Sequence, residues 1–451
     1  MGQSIPQDFV MASPHTEANA KAALDFFLKL SKDEHCESIM FSPVNLAVAL
    51  KVLLSGARGH TAAELQKRKN VEEDVLESAK SCGTVDSRQK TQGPAPHPCG
   101  LAAPSPELES APRPHRDASD YECEMPEGSH KEFHKILAQL DKPSRNYELS
   151  FANQLYGDKS IAFVQQFLFC ALKQYLTEVD SVDFHKAPEE ARKLINLWVE
   201  VRTHGKIQDL LPEFNDEITC LIDLLLVNAL YFKGQWEVQF DKELTKESSF
   251  YLNEVRDTKT VELMHRRGHY KTGTIESSQV QFQVLEIPYK DHELSVFILL
   301  PKDYNPSSLQ QLEEELTYEK LLEWTSETCL KVEEVDVAIP KTRLEKSIPA
   351  LKFLEALGLN NVSNPEKADL SGITTTEMVA VSEIVHGVAL EMDEDGGREA
   401  PHCPRDRHPA SRADVQFVAD HPFLFFILHK FTNSILFFGR FSEPEENTAC
   451  H

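Results

Sequence analysis

Near its C-terminal end the chain carries two almost unbroken apolar runs, "PFLFFILH" at 422–429 and "SILFFGRF" at 434–441, set on either side of Thr432-Asn433. A strand wetted on one face alternates apolar and polar side chains. Runs that stay apolar at every position predict strands buried on both faces, and such strands need further layers around them. With 451 residues, 41% of them hydrophobic, the chain is long enough to supply those layers. Nothing separates it into two lobes, so one large domain over 1–451 with an insert is expected.

The rest of the chain supplies both kinds of element. Ser42 and Pro43 suit the cap and first position of a helix, and Leu46, Leu50, Leu53 and Leu54 follow at helical spacing until Gly56. Thr61-Ala-Ala-Glu64 has the spacing of a capping box and predicts a second helix start. In "APEEARKLINLWVEVRTHG", Ala191, Leu194, Ile195, Trp198 and Val199 form one apolar face between Pro188 and Gly205. "VQFQVLEIPY" and "ELSVFILLP", joined by Lys290-Asp291-His292, predict a hairpin, and Val335, Val337 and Ile339 alternate as in a strand. Helices come mostly early and strands mostly late, so the fold class is mixed α/β with sheets at the core. Residues 69–128 are rich in Pro, Ser and charge and poor in large apolar groups, which predicts a disordered insert between two helices.

Composition narrows the partners. Formal charge is -25, from 47 basic and 72 acidic side chains, so the phosphate fields of nucleic acids and anionic membranes repel the chain. A protein or small molecule is the expected partner, and the protein is expected to be a monomer. Nine scattered cysteines without a CxxC pair predict free thiols in a reducing compartment. The N-terminal segment lacks a basic cap followed by an apolar core, so a soluble cytoplasmic protein is expected, with release without a cleaved signal peptide as the other route. Asn361-Val362-Ser363 matches a glycosylation sequon, which matters only if the chain is exported.

No catalytic motif stands out. There is no GxSxG elbow, P-loop or GxGxxG after a strand, and no enzyme activity or cofactor is expected. His130 and His134 lie four apart, but Glu132 is not where a zincin needs its base and no third ligand is evident, so a surface helix is the reading. His402, Cys403 and His408 offer soft ligands without a fourth, and they read as loop rather than metal site. Asn228 and His386 are more telling. Each sits in an otherwise apolar strand-like segment, where an unpaired polar group costs about 1–3 kcal/mol, so each must have a partner. Trp236, in "VNALYFKGQW", reads as core.

Taken together, several segments resemble the serpin family, and within it the intracellular ovalbumin-like (clade B) branch. They include "FSPVNLAVALKVLLSGARGHTAAELQ", "FANQLYGDKSIAF", "INLWVEVRTHGKIQDLLP", "LVNALYFKGQWEVQF", "LEIPYKDHELSVFILLP", "VAIPKTRLEKS", "NPEKADLSGI" and "VADHPFLFFILHKFTNSILFFGRFSEP". They run in family order from about residue 16 to 444 and leave uncovered the 69–128 insert and the extreme ends. The resemblance implies three β-sheets, about nine helices and an exposed reactive loop at 394–414. A target protease cleaves such a loop and is held as an acyl-enzyme while the loop inserts as a new central strand of the largest sheet. By the same resemblance Ser42, Asn45, Asn228 and His386 form the polar cluster under the strands that part, and Trp236 and Lys341 lie where insertion starts. Asn45 stands where a serine is usual, and its amide can still donate and accept.

The loop departs from the pattern of inhibitory relatives, whose hinge resembles Glu-Glu-Gly-Thr-Glu followed by alanines. Here the run is Glu394-Asp395-Gly396-Gly397-Arg398-Glu399-Ala400-Pro401-His402-Cys403-Pro404. With Gly396 in the usual glycine position, Gly397, Glu399, Pro401 and Cys403 face the core after insertion. Protonating Glu399 at neutral pH costs about 4 kcal/mol before any desolvation. Pro401 and Pro404 lack donors and suit sheet edges rather than a central strand. Weak or absent trapping is therefore expected, with a working inhibitor of serine or cysteine proteases as the alternative. Counting from Gly396 puts the reactive bond at Ala410-Ser411, while counting back from His421 leaves Pro409-Ala410 open. Arg405, Arg407 and Arg412 offer further cleavage points to arginine-specific proteases.

Overall fold

Ser42 takes an extended backbone, its hydroxyl accepts the Asn45 N–H, and Pro43 fills the first helical position, where no amide donor is lost. The computed structural model describes residues 14–34, 37–67, 123, 129–213, 222–252, 257–395 and 415–444. Its elements begin with α1 (Pro14–Asp33), β1 (Ile39–Phe41), α2 (Pro43–Gly56) and α3 (Gly59–Lys67). Then come α4 (Ser129–Leu140), β2 (Tyr147–Asp158), α5 (Gln165–Tyr175), β3 (Glu178–Val182), α6 (Pro188–Arg202) and β4 (Leu224–Gly234). A run of strands comes next: β5 (Lys246–Tyr251), β6 (Thr258–Glu276), β7 (Gln281–Pro288) and β8 (Leu294–Pro301). After α7 (Pro306–Glu314) and α8 (Tyr318–Trp324) come β9 (Lys331–Pro340), β10 (Thr342–Pro349), α9 (Ala350–Ala356) and β11 (Val381–Met392). The last strands are β12 (Val415–Val418), β13 (Phe423–His429) and β14 (Ser434–Phe441).

The strands form a five-stranded sheet, β10-β11-β4-β2-β3, and a nine-stranded ladder. In the ladder the 19-residue β6 pairs with β5 and β9 along its first part and with β7 at its end, so it joins two groups of strands. The architecture is mixed α/β as expected, with nine α-helices among the described residues. The two apolar C-terminal runs are β13 and β14, antiparallel to each other and interior to the ladder, between β1 and β8. β7 and β8 form the expected hairpin, and Asp291 and His292 take positive φ in its turn.

β4 shows why a strand sequence can be apolar throughout. Leu224, Leu226, Leu230 and Phe232 face the main core, while Leu225, Val227, Ala229 and Tyr231 face a second cluster under α6. Phe232 meets Phe437 of β14 at 6.0 Å between ring centroids, which links the two sheets.

Three sequence expectations need correction. Thr61 and Glu64 do not form a capping box, because Gly59, at φ +52, starts α3 two residues earlier. The Thr61 hydroxyl instead accepts the Asp369 N–H at 2.9 Å, and the Glu64 carboxylate accepts the Asn361 N–H at 2.8 Å. The face of α6 is also rotated from the apolar count: Leu194 is 50% exposed, whereas Asn196 is buried. Asn196 takes that place because its amide clamps the loop after α6, donating to the Leu211 carbonyl at 2.9 Å and accepting the Leu211 N–H at 2.8 Å. Finally, the cysteines are not all free thiols. Cys123 and Cys170 form a disulfide, a pairing across 47 residues that no local motif announces, while Cys329 is free among the described residues. Apart from Cys123, the insert expected at 69–128 lies outside the described residues.

Asn196→Ala should lower stability by about 1–3 kcal/mol, because both backbone groups of Leu211 lose a buried partner. Leu194→Gln on the exposed side should stay within about 0.5 kcal/mol. Urea unfolding of both variants checks the contrast.

Candidate functional site

β4 and β11 are neighbours and run parallel, in register from Glu383 opposite Leu225 to Glu391 opposite Lys233, with a shift of register just before, between Val381 and Glu383. Their order in the chain gives this pair a special geometry. A segment that leaves the end of β11 and reverses direction runs antiparallel to β11, and therefore antiparallel to β4 as well. It could hydrogen-bond to both strands if they separated. In the structure the two strands are paired with each other and the sheet is closed.

A polar row crosses this seam. Asn153 of β2 lies opposite Asn228 of β4, and Asn228 lies opposite His386 of β11, all three beneath the start of α2. The Ser42 N–H donates to His386 Nε2 at 2.9 Å, so that nitrogen carries no proton. His386 Nδ1 is then the donor, to Asn228 Oδ1 at 2.5 Å. The Asn228 amide donates to the Asn45 carbonyl at 2.8 Å and to Asn153 Oδ1 at 2.9 Å, and Asn153 donates to Asn45 Oδ1 at 2.8 Å. Asn45 Nδ2 is buried and has no hydrogen-bond partner among the described residues. Ser42, Asn45, Asn228 and His386 thus meet in one network. Asn153 belongs to it too and escaped the sequence reading, although the same rule, an amide inside an apolar strand, points to it. Burial pushes the His386 imidazole down to about 3, so it stays neutral across the physiological range.

The chain leaves β11 through an acidic stretch held by lysines from four segments. Lys233 of β4 reaches Asp393 at 2.5 Å and Glu391 at 3.4 Å, and Lys206, just after α6, reaches Glu391 at 2.9 Å. Lys341 pairs with Glu394 at 3.2 Å, and Lys242 pairs with Asp395. Glu394 is buried, which opposes its charge, but its own N–H, the Thr245 hydroxyl and Lys341 together hold its carboxyl below the usual range. Trp236 donates from Nε1 to the Asp393 carbonyl at 2.7 Å and stacks on Tyr289 at 4.5 Å between ring centroids. The Phe240 N–H donates to the Glu394 carbonyl at 3.0 Å. Trp236 and Lys341 therefore both grip the last residues before the loop.

Beyond Asp395 the loop lies outside the described residues up to β12. That includes Gly396, Gly397, Glu399, Pro401, Pro404, Arg405, Arg407, Pro409, Ala410, Ser411 and Arg412, and also His402, Cys403 and His408. Among the described residues no group of three or more metal-ligating side chains comes together, and His134 Nδ1 instead meets the Gln174 carbonyl at 3.3 Å. No helix among them is long and apolar enough to cross a membrane.

A family model described as serpin (serine protease inhibitor) matches residues 17–444. The chain belongs to the serpin family. It is 36% identical to human serpin B3 over 431 residues, covering 95% of this chain and 99% of that protein. It is also 36% identical to human leukocyte elastase inhibitor over 432 residues, again 95% of this chain and 99% of the relative. Both are ovalbumin-type serpins. Among solved structures, uncleaved ovalbumin matches with a TM-score of 0.77 and 28% identity, over 95% of this chain and 99% of ovalbumin. Maspin matches with a TM-score of 0.70 and 29% identity, over 95% of this serpin and 98% of maspin. Serpins are protease inhibitors by family and act on proteases as protein partners, not as catalysts.

The neutral His386 ties the stability of this serpin to pH. Its ordinary value of 6.5 falls to about 3 in the fold, so the unfolded chain binds the extra proton. Stability is complete above about pH 6.5 and is lost as pH falls toward 3, by up to about 5 kcal/mol over the window. His386→Leu should flatten this dependence while lowering stability at pH 7.5 by about 1–3 kcal/mol, because the Ser42 N–H and Asn228 Oδ1 lose their partner. His429, pushed down to about 4 by burial, leaves a smaller slope of its own. Unfolding free energies measured from pH 7.5 to 4 check the sign and the difference.

Proposed function

We propose that this serpin presents its loop to proteases but inserts it poorly, and so acts as a weak inhibitor or a non-inhibitory, ovalbumin-like protein. The observation that carries the reading is the run after Asp395, where Glu399, Pro401 and Pro404 stand in the segment that would have to enter the closed β4–β11 ladder. Opening it breaks a buried polar row and several ion pairs, and the guest strand must make up the loss. Glu399 brings a charge to a core-facing position, and Pro401 and Pro404 bring no donors to the new ladder.

Trapping is a race between insertion and deacylation. If half of the roughly 4 kcal/mol cost at Glu399 enters the insertion barrier, insertion slows about 30-fold. The protease then finishes hydrolysis and leaves. On this reading the protease is a partner mainly as the enzyme that cuts the loop, at Ala410-Ser411 or Pro409-Ala410, or beside Arg405, Arg407 or Arg412. The protein is a cytoplasmic monomer, with release without a cleaved signal peptide as a second route, and it binds neither nucleic acid nor membrane. The second reading, a working suicide inhibitor of serine or cysteine proteases, draws support from the polar row and from the parallel β4–β11 pair, both of whose edges one returning strand could satisfy if the pair opened. The inhibitors among its relatives support it too.

Mixed with trypsin-like, chymotrypsin-like and elastase-like proteases, the protein should be cleaved without a covalent complex on a denaturing gel. A stable complex near equal stoichiometry would overturn the proposal. The triple variant Glu399→Ala, Pro401→Ala, Pro404→Ala should gain complex formation by at least tenfold in the complexed fraction per cleavage.

A further inference from the structure

Helices in contact lie about 8–10 Å apart, and the side chains between them must fill that gap. α1 packs on α2, but along their junction α1 offers Ala18 and Ala22, one turn apart, and α2 offers Ala47. These methyl groups leave the gap unfilled, and a cavity of about 80 Å³ remains. Leu50 of α2, Leu65 of α3 and Leu354 of α9 complete its apolar walls. Ala18 and Ala22 are partly exposed, so solvent reaches the cavity from the α1 side. One water takes roughly 10–15 Å³ of such space, which leaves room for about six small heavy groups. Carbon walls give water few of the polar partners that would hold it, so an alkyl chain is the better filling.

One charged group breaks the apolar lining. Lys51 of α2 also lines the cavity, yet it is only 8% exposed. Lysines are seldom buried so far, because the ammonium gives up its water. Lys51 Nζ lies 4.9 Å from the centre of the Phe133 ring of α4, whose π face stabilises the charge. An ammonium has three donors, so it can take an anion in addition to the contacts it already makes. The molecule thus places a buried cation beside an apolar slot, in a chain whose net charge is -25.

We propose that the α1–α2 cavity binds a medium-chain carboxylate of about six to eight carbons, with its alkyl chain against Ala22, Ala47 and Leu50 and its carboxylate on Lys51. Burial of Lys51 shields the ion pair from salt. Pro43 and Leu46, in the first turn of α2, border the same cavity, so the ligand fills packing between two helices of the folded chain and stabilises that chain by mass action.

Calorimetric titration of the full chain with butanoate, hexanoate, octanoate and 1-octanol tests the proposal. Affinity should rise about fourfold per added methylene up to octanoate. Octanoate should bind at least about tenfold more tightly than 1-octanol, the contribution of a charge-assisted hydrogen bond. At about one hundred times its dissociation constant, octanoate should raise the melting temperature on the order of 3 °C. Lys51→Met, which keeps the apolar stem, should erase the preference for octanoate over 1-octanol. Ala22→Leu, at a partly exposed position, should fill the cavity and abolish binding of both ligands. Octanoate carrying a photoactivatable diazirine should label α1 or α2 of the unsubstituted protein, which locates the site whether or not a variant folds. The proposal is overturned if octanoate does not bind, if 1-octanol binds as well as octanoate, or if the label falls on neither helix. It is equally overturned if a folded Ala22→Leu variant binds octanoate as the unsubstituted protein does.

Discussion

The pairing of β4 with β11 is the contact on which the rest of this molecule depends. Two strands far apart in sequence lie parallel at the centre of the five-stranded sheet, with both faces of β4 buried. Because they are parallel, one returning chain can satisfy both edges at once, which makes this seam an internal place where the segment after β11 can join the sheet beside its own strand. The polar row of Asn153, Asn228 and His386 sits across it, under Ser42 and Asn45. A hydrophobic seam of the same shape would have no directional bonds to break. This one is held by hydrogen bonds that align the strands and are lost together when they part.

A sheet that is to admit a strand, as proposed, places demands on that strand. The guest must offer an N–H at each ladder position and a small neutral side chain at each core-facing one. Here the host and the guest disagree. The exit of β11 is ordered by Trp236, Phe240, Lys233 and Lys341, as though the hinge were meant to be held in place. The chain beyond that exit carries a carboxylate, Glu399, and two prolines, Pro401 and Pro404. Ion pairs of partly exposed lysines are individually weak, so the clasp alone does not keep the sheet shut. On the proposed reading the chemistry of the loop decides.

Much of this was legible in the sequence because it rests on local or periodic signals. The two Phe-rich runs announced strands buried on both faces, and Ser42-Pro43 announced the start of α2. Asn228 and His386 stood out as polar groups in apolar strands, and the structure pairs them across the seam. The failures depend on long-range geometry. Thr61 and Glu64 had the spacing of a capping box but were spent on residues some 300 positions away. Leu194 and Asn196 exchanged places because a hydrogen bond to Leu211 outweighed one more apolar contact. Cys123 and Cys170 carry no mark of their partner, and Lys206 and Lys233 become meaningful only once β4 and β11 lie side by side.

The most direct measurement compares melting temperatures of the intact protein and of the protein nicked once in its reactive loop, at pH 7.5 and otherwise identical conditions. A loop that inserts adds a central strand and a double ladder to the sheet, and the nicked protein then melts far above the intact one. On the proposed reading nearly equal melting temperatures are expected, because the charge of Glu399 and the missing donors of Pro401 and Pro404 oppose entry into the β4–β11 seam. A rise on the order of 20 °C or more on nicking would contradict poor insertion.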